Sequence, residues 1–205
     1  MAEMKARMDI IGSDKTKRAF SSVRKNVTGF NSELSRTALV FASAFGVKQL
    51  INMADSITDL RNRLNSFNND ASLTAKQMDL IGKVALKTRA NFEATGIVFT
   101  RMVQATQHLA ISSEELAAAT ATVNATFKLS GTTAYEAANS ARQLSQGLSS
   151  GRLSGDEMRS VLENNVVLAN LLADGFGVTV GQLREMGAAG KITTEKIMPI
   201  LIGAF

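Results

Sequence analysis

Several residue types that carry chemistry are absent or nearly absent from this sequence. It contains no Cys, no Trp, one His and one Tyr. Without Cys there can be no disulfide framework and no thiolate metal site. The lone imidazole, His108, has no second His with which to bind zinc, and a partly exposed position at a helix end is expected for it. We therefore assign no catalytic, cofactor-binding or metal-binding residue, and predict a protein that is not an enzyme, needs no cofactor and takes no small-molecule substrate.

Helix-breaking residues are also scarce. Pro199 is the only proline and 15 of the 205 residues are glycine, so long helices are possible. With 45% hydrophobic and 20% charged residues the composition is that of an ordinary globular protein. The sequence predicts an all-α fold.

The N-terminus lacks the apolar stretch of about 7–15 residues that a signal peptide has, and no apolar run in the chain is long enough for a membrane span. The most apolar stretch, residues 38–47, is about half the ~20 residues that a span requires. A host cytoplasm is therefore the expected place of synthesis. A membrane-active helix at residues 38–47 is the weakest of three functional hypotheses.

The positive charge is concentrated at the start of the chain. The net charge is +5, and residues 1–50 hold nine Lys or Arg against four acidic residues, whereas residues 51–205 are balanced. This predicts a basic N-terminal arm and amphipathic helix over residues 1–50, followed by a helical domain over 51–205. The arm includes Lys15, Lys17, Arg18, Arg24 and Lys25. Residues 5–11 alternate in a way that allows one short strand.

Two heptad patterns follow one another between residues 20 and 67. Apolar residues recur at alternating spacings of three and four, which is typical of a narrow helical seam. Two interpretations stay open: long amphipathic helices that pack on the domain core, or a coiled-coil seam between copies of the chain in a homo-oligomer. The seam residues are Phe20, Val23, Val27, Phe30, Leu34 and Phe41, with Thr37 as a polar member, and then Leu50, Met53, Ile57, Leu60, Leu64 and Phe67.

The rest of the chain divides into short helices. A turn is predicted at residues 68–70. A Ser or Thr followed three residues later by Glu or Gln predicts a capped helix start, and the pattern occurs at 74/77, 112/115, 133/136, 154/157 and 179/182. Glycines at 131, 151, 175, 177 and 190 predict helix ends in the left-handed conformation. Helices are expected at 75–89, 93–109, 113–129, 133–149, 155–174, 180–188 and 193–203, in a compact multi-helix bundle.

Residues 174–188 also resemble a helix-turn-helix, with Arg184 available for a base contact. A DNA-binding helical module is therefore the alternative function. The five basic and six acidic residues of 151–205 argue against it, because phosphate binding needs excess positive charge. Asp156 and Glu157 lie together, but at a predicted helix start they are expected to stabilise the helix dipole.

Three separated motifs are similar to those of the phage tail tape measure proteins. Residues 143–157, QLSQGLSSGRLSGDE, resemble the family's QLSQALASG followed by L-x-GDE. Residues 172–193 match its LADGLGVSVGELREMAEEGKIT, and residues 54–64 match its ADSYTNLRNRL. The residues carrying the resemblance are Gly151, Gly155, Asp156, Glu157, Gly175, Gly177, Gly181, Leu183 and Gly190. Residues 163–166 are ENNV where the family often has EQAP, and the missing proline predicts a straighter helix.

The resemblance implies a structural protein of a phage or prophage-like tail. Members of this family run as long helical chains inside the tail tube, several copies together, and their length sets the length of the tube. Tail tube and tail assembly proteins are the implied partners, in the tube lumen of the virion and in the host cytoplasm during assembly. At ~1.5 Å per residue, 205 residues in one helix would span only about 300 Å. We therefore expect this sequence to be the N-terminal part of a longer protein or a truncated copy.

Overall fold

A computed structural model describes residues 54–205, except for the side chains of Ala54, Ala134, Tyr135 and Ala138. The basic arm, the proposed strand, the apolar stretch 38–47 and the seam residues up to Met53 lie outside the described residues. Within the described range the chain forms nine α-helices and no β-strand, which confirms the all-α prediction. They are α1 (Ala54–Phe67), α2 (Ala71–Thr88), α3 (Phe92–Ala105), α4 (Ser113–Leu129), α5 (Ala134–Ser149), α6 (Gly155–Asn164), α7 (Val166–Phe176), α8 (Val180–Ala188) and α9 (Thr194–Gly203).

Helix α4 is the centre of the bundle and packs against α2, α3, α7 and α9. Its sequence is rich in Ala and Thr, and small side chains let several helices approach it at once. Leu116, Ala119, Val123 and Phe127 of this helix are buried. The Thr122 hydroxyl donates to the backbone oxygen of Leu201 at 2.8 Å, which ties α4 to α9.

The other helices build outward from this centre. Helix α3 packs against α1, α2 and α5, α5 packs against α6, and α6 contacts α7 and α8. In α5 the side chains of Ala141, Leu144 and Leu148 are buried. The motif-bearing half of the chain, from α5 to α9, is thus joined to the rest through α3 and α4.

Three of the five predicted capping boxes are present. Ser112 with Glu115 starts α4, Thr133 with Glu136 starts α5, and Thr179 with Gln182 starts α8, each with both reciprocal hydrogen bonds. These short motifs fix helix starts locally, because both partners lie within one turn of the backbone donors they satisfy.

The prediction for residues 74 and 77 was wrong. Helix α2 begins one turn earlier, where the Asp70 carboxylate accepts from the Ser72 backbone N–H at 2.8 Å. Thr74 and Gln77 are buried inside α2, and both accept hydrogen bonds from the Asn68 side chain. The pair 154/157 was also wrong as a capping box, since Ser154 is the N-cap of α6 but makes no side-chain cap bond.

The predicted continuous helix over 155–174 is two helices. The chain breaks at Asn165, which has φ −142° and ψ 79° and caps α7 by accepting from the Leu168 N–H at 2.9 Å. Asn165 is fully buried, and its side chain also bonds Thr126 and Ser130 of the α4 end. The missing proline therefore does not straighten the helix, because hydrogen bonds to α4 hold the break in its place.

Four of the five glycines predicted as helix ends have positive φ: Gly131, Gly151, Gly177 and Gly190. Gly175 was predicted wrongly, since it lies inside α7. A Cβ at Gly175 would stand 2.5 Å from Cγ2 of Ile200 in α9, closer than side chains pack. The absence of a side chain at Gly175 therefore allows α7 and α9 to approach each other closely.

Candidate functional site

The two longer family motifs meet in space. The loop after α5 and the loop before α9 pair through an antiparallel bridge between Arg152 and Thr193. The Leu153 N–H donates to the Ile192 oxygen at 2.8 Å, and the Thr194 N–H donates to the Gly151 oxygen at 3.0 Å. We call this pairing of residues 151–153 with 192–194 the motif junction.

The motif junction is sealed by buried groups. Leu153, Ile192 and Thr194 are at most 1% exposed, and the Thr194 hydroxyl donates to the Leu148 oxygen at 3.0 Å. Gly190 turns the chain into the junction at φ 65°, with the Arg152 side chain beside it. Because the motif residues here hold the loop after α5 against the loop before α9, the role of the motif junction is structural.

The acidic pair of the first motif lies in the first turn of α6, where Asp156 is exposed and Glu157 is partly exposed. Asp156 is 3.9 Å from the Arg159 guanidinium, and both side chains lie largely in solvent. An exposed pair at this distance contributes little to stability. The position at the helix start agrees with the predicted interaction with the helix dipole.

His108 lies in the turn after α3, three residues beyond the end of that helix, with its ring Nε2 3.6 Å from a Glu195 carboxylate oxygen. Its side chain is 61% exposed, as expected for a helix-end histidine. In the part of the chain that the structure describes, no group of three His, Cys, Asp or Glu side chains could hold a metal ion.

The segment proposed as a helix-turn-helix consists of α7 and α8, which meet at 83°. Gln182, Arg184 and Glu185 are exposed on α8, while Leu183 is buried and Gly181 is exposed. Within residues 54–205 no single helix has the length and apolar character of a membrane span, whereas α7 and α8 pass that test only as a bent pair. Leu168, Ala169, Leu172 and Ala173 of this pair are buried in the bundle.

Three carboxylates have a lowered pKa. The Ser112 N–H and hydroxyl lower the pKa of Glu115, and the Thr133 N–H and hydroxyl lower that of Glu136. A hydrogen bond from the Lys76 ammonium, at 2.7 Å, lowers the pKa of Glu114. All three belong to helix starts or exposed ion pairs, so these shifts have structural causes.

The second heptad seam is split by the fold. Leu60 and Leu64 are 6% and 0% exposed, and Leu60 packs against Gly96 of α3. Ile57 and Phe67 are partly exposed. For Leu60 and Leu64 the structure thus supports packing on the domain core, the first of the two interpretations, whereas self-association of the chain stays a prediction.

A cleft of about 280 Å³ lies where the ends of α2 and α4 meet the starts of α3 and α5. Arg89 and Lys128 supply positive charge at its edge, and Phe127, Ala90 and Ala94 form apolar wall. Asn124 lines it and is only 8% exposed. We call this the basic cleft.

Sequence reasoning did not single out the basic cleft. Its residues come from four helices, and none belongs to a recognisable motif. One signal was present: Asn124 is an amide on the face of α4 that also carries buried Ala and Thr. A polar residue on a buried helix face needs hydrogen-bond partners on the neighbouring helices, which predicts a polar contact at this point of the bundle.

The family model of the tape measure protein matches residues 48–205, about three-quarters of the chain. The match includes all nine described helices, the motif junction and the basic cleft. No curated protein and no solved structure matches the chain. The chain therefore belongs to the tape measure protein family, whose members are structural rather than enzymatic components of the phage tail.

Proposed function

We propose that this chain is the N-terminal module of a tape measure protein, the protein that sets tail tube length and supports assembly of the tube. It acts through self-association and through contacts with tail tube and tail assembly proteins, in the host cytoplasm during assembly and in the tube lumen of the virion. The family match over residues 48–205 is the observation that carries the proposal.

The described helices are short, which supports a role in assembly and not in the measurement of tube length. The longest, α2, has 18 residues, which at 1.5 Å per residue is about 27 Å. The residues from 54 to 205 are divided among nine short helices that pack against one another, so this part adds little length. We infer that it is an assembly module, with length measured by extended segments of the tape measure protein.

Charge supports the proposed contacts. Residues 51–205 carry equal numbers of acidic and basic side chains, while residues 1–50 hold the whole net charge of +5. A basic arm is attracted to acidic protein surfaces over about a Debye length, ~8–10 Å. The arm is therefore the segment we propose to contact an acidic tube lumen or assembly partner.

The test replaces leucines in the gene of a phage that carries this chain. Leu144 is fully buried in α5, so Leu144→Asp places a charge in the core and should unfold the module. Leu129 is 74% exposed, so Leu129→Asp is a matched control that leaves the fold intact. Electron microscopy should show a loss of complete tails with Leu144→Asp alone. Normal tails with Leu144→Asp would refute the assembly role.

Self-association is tested with the purified chain. Light scattering should report a mass above that of the monomer, and Phe30→Asp in the first seam should lower this mass while circular dichroism stays helical. A wild-type chain that stays monomeric at high concentration would contradict the oligomer proposal. In the same preparation, tight and steeply salt-dependent binding of duplex DNA that is lost in Arg184→Ala would favour the DNA-binding alternative.

A further inference from the structure

The basic cleft combines features that point to one class of ligand. Its edge carries Arg89 and Lys128, both exposed, and no carboxylate occurs among the described residues that line it. Phe127 and several alanines form the apolar part of the wall. A ligand that fits must bring a negative charge together with an apolar group.

Hydrogen bonds fix the orientation of the Asn124 side chain, the buried amide that lines the cleft. The Asn124 side-chain nitrogen donates to the Thr95 hydroxyl at 2.9 Å and to the Thr88 hydroxyl at 3.2 Å. Both of its N–H groups are thereby used. Among the hydrogen bonds of the described residues none reaches the carbonyl oxygen of Asn124, so this oxygen suits a ligand with an N–H donor.

Arg89 provides an independent observation. It is the C-cap of α2 with φ 52° and ψ 36°, and is the only non-glycine residue with positive φ in the described part of the chain. Glycine is the residue that adopts this conformation without strain. This left-handed cap turns the chain at the end of α2 and places Arg89 in the lining of the cleft.

We propose that the basic cleft binds the C-terminal residue of a partner polypeptide. The carboxylate lies at Arg89 and Lys128, the amide N–H faces Asn124, and an apolar side chain packs against Phe127. A terminal residue brings all three groups within a few ångströms, and a cleft of about 280 Å³ is of the size for one or two residues. The inference rests on the proposed function in one respect: it gives the chemistry of one assembly partner.

Small probes test this on the full chain. In ¹⁵N-correlation spectra, N-acetyl-leucine should shift the backbone signals of Ala90, Ala94 and Lys128 with millimolar affinity. N-acetyl-leucinamide has no carboxylate and should bind more weakly. N-acetyl-leucyl-glutamic acid α-amide places its carboxylate on an internal side chain, and equal binding of this probe would overturn the C-terminal assignment. Equal binding of the neutral amide, or no shift at the cleft with any probe, would overturn the site.

Charge variants provide the second arm. Arg89→Gly removes the cation and suits the left-handed backbone, so it should raise the unfolding midpoint by about 2–4 °C and weaken N-acetyl-leucine binding about two- to fivefold. Lys128→Gln should weaken binding to a similar extent. Lys191→Gln, an exposed lysine outside the cleft lining, should leave it unchanged. Unchanged binding in both cleft variants would overturn the assignment of these cations.

These outcomes are separable from those of the proposed function. Probe binding needs no tail, so it can fail while Leu144→Asp still abolishes tails. Conversely, binding that depends on Arg89 can hold even if tails assemble normally without the module.

Discussion

Replacing Asn165 by alanine should destabilise the bundle more than any other single amide-to-alanine change in α6 or α7. Its side chain is fully buried and makes three hydrogen bonds, two to the end of α4 and one to the start of α7. Nδ2 donates to the Thr126 hydroxyl at 2.9 Å, while Oδ1 accepts from the Ser130 hydroxyl at 2.8 Å and from the Leu168 N–H at 2.9 Å. One residue thus caps α7 and anchors the α6–α7 break to the end of α4.

The expected loss follows from these three bonds. Removing an N-cap side chain costs about 1 kcal/mol. Each of the two bonds to α4 contributes about 1 kcal/mol, and the hydroxyl partners keep other bonds: Thr126 donates to the Val123 oxygen, and Ser130 accepts from the Val167 N–H. We expect Asn165→Ala to lower the free energy of unfolding by about 2–3 kcal/mol.

Urea denaturation followed by circular dichroism at 222 nm measures this loss. Asn170→Ala is the matched control, because Asn170 is exposed on the same helix, and its effect should stay within about 0.5 kcal/mol. A double-mutant cycle with Ser130→Ala should give a coupling of about 1 kcal/mol, since the two side chains share a hydrogen bond.

Two results would refute the reasoning. A loss below about 0.5 kcal/mol for Asn165→Ala would mean that the break is held by something other than its side chain. Equal losses for Asn165→Ala and Asn170→Ala would mean that the effect is helix propensity and not the buried network.

Two further predictions concern the same helix boundary and the capping boxes. Val166 is the first residue of α7 and is 58% exposed, and proline is favoured at the first position of a helix. Val166→Pro should therefore be neutral or raise the free energy of unfolding by up to about 1 kcal/mol. A fall in the free energy of unfolding of more than about 2 kcal/mol would contradict the helix break at Asn165. Because the pKa values of Glu115 and Glu136 are lowered from 4.5 in the folded chain, their contribution is complete above pH 4.5 and is lost as pH falls through the lowered values. The thermal midpoint should therefore fall on acidification below 4.5, less steeply in the double variant Glu115→Gln and Glu136→Gln, while Glu163→Gln, exposed and outside the capping boxes, should retain the wild-type slope.

Predictions from the sequence held where the deciding contacts are local. The capping boxes at Ser112, Thr133 and Thr179 were correct, because both partners of each box lie within one helical turn. The pattern failed at Thr74, where Asp70 offered a better cap one turn earlier. Asp70 and Thr74 are both possible N-caps, and the sequence motif does not indicate which of them begins the helix.

In the candidate sites, too, only features that are local in the sequence could be predicted. The motifs around Gly151 and Gly190 could be recognised in the sequence, but not their pairing, which joins residues some forty positions apart. The basic cleft could not be predicted, since Arg89, Asn124 and Lys128 come together only when α2 and α4 pack.

The sequence by itself determined the helical class, most helix starts and ends, the concentration of positive charge in residues 1–50 and the family. Each follows from composition, from spacing within one or two turns, or from short motifs. Only the tertiary structure decided that Leu60 and Leu64 are buried in the core, and that the absence of a side chain at Gly175 leaves room for Ile200 of α9. It also decided that the helix breaks at Asn165 without a proline. These outcomes depend on which helices become neighbours, and burial and hydrogen bonds between distant segments then override local preference.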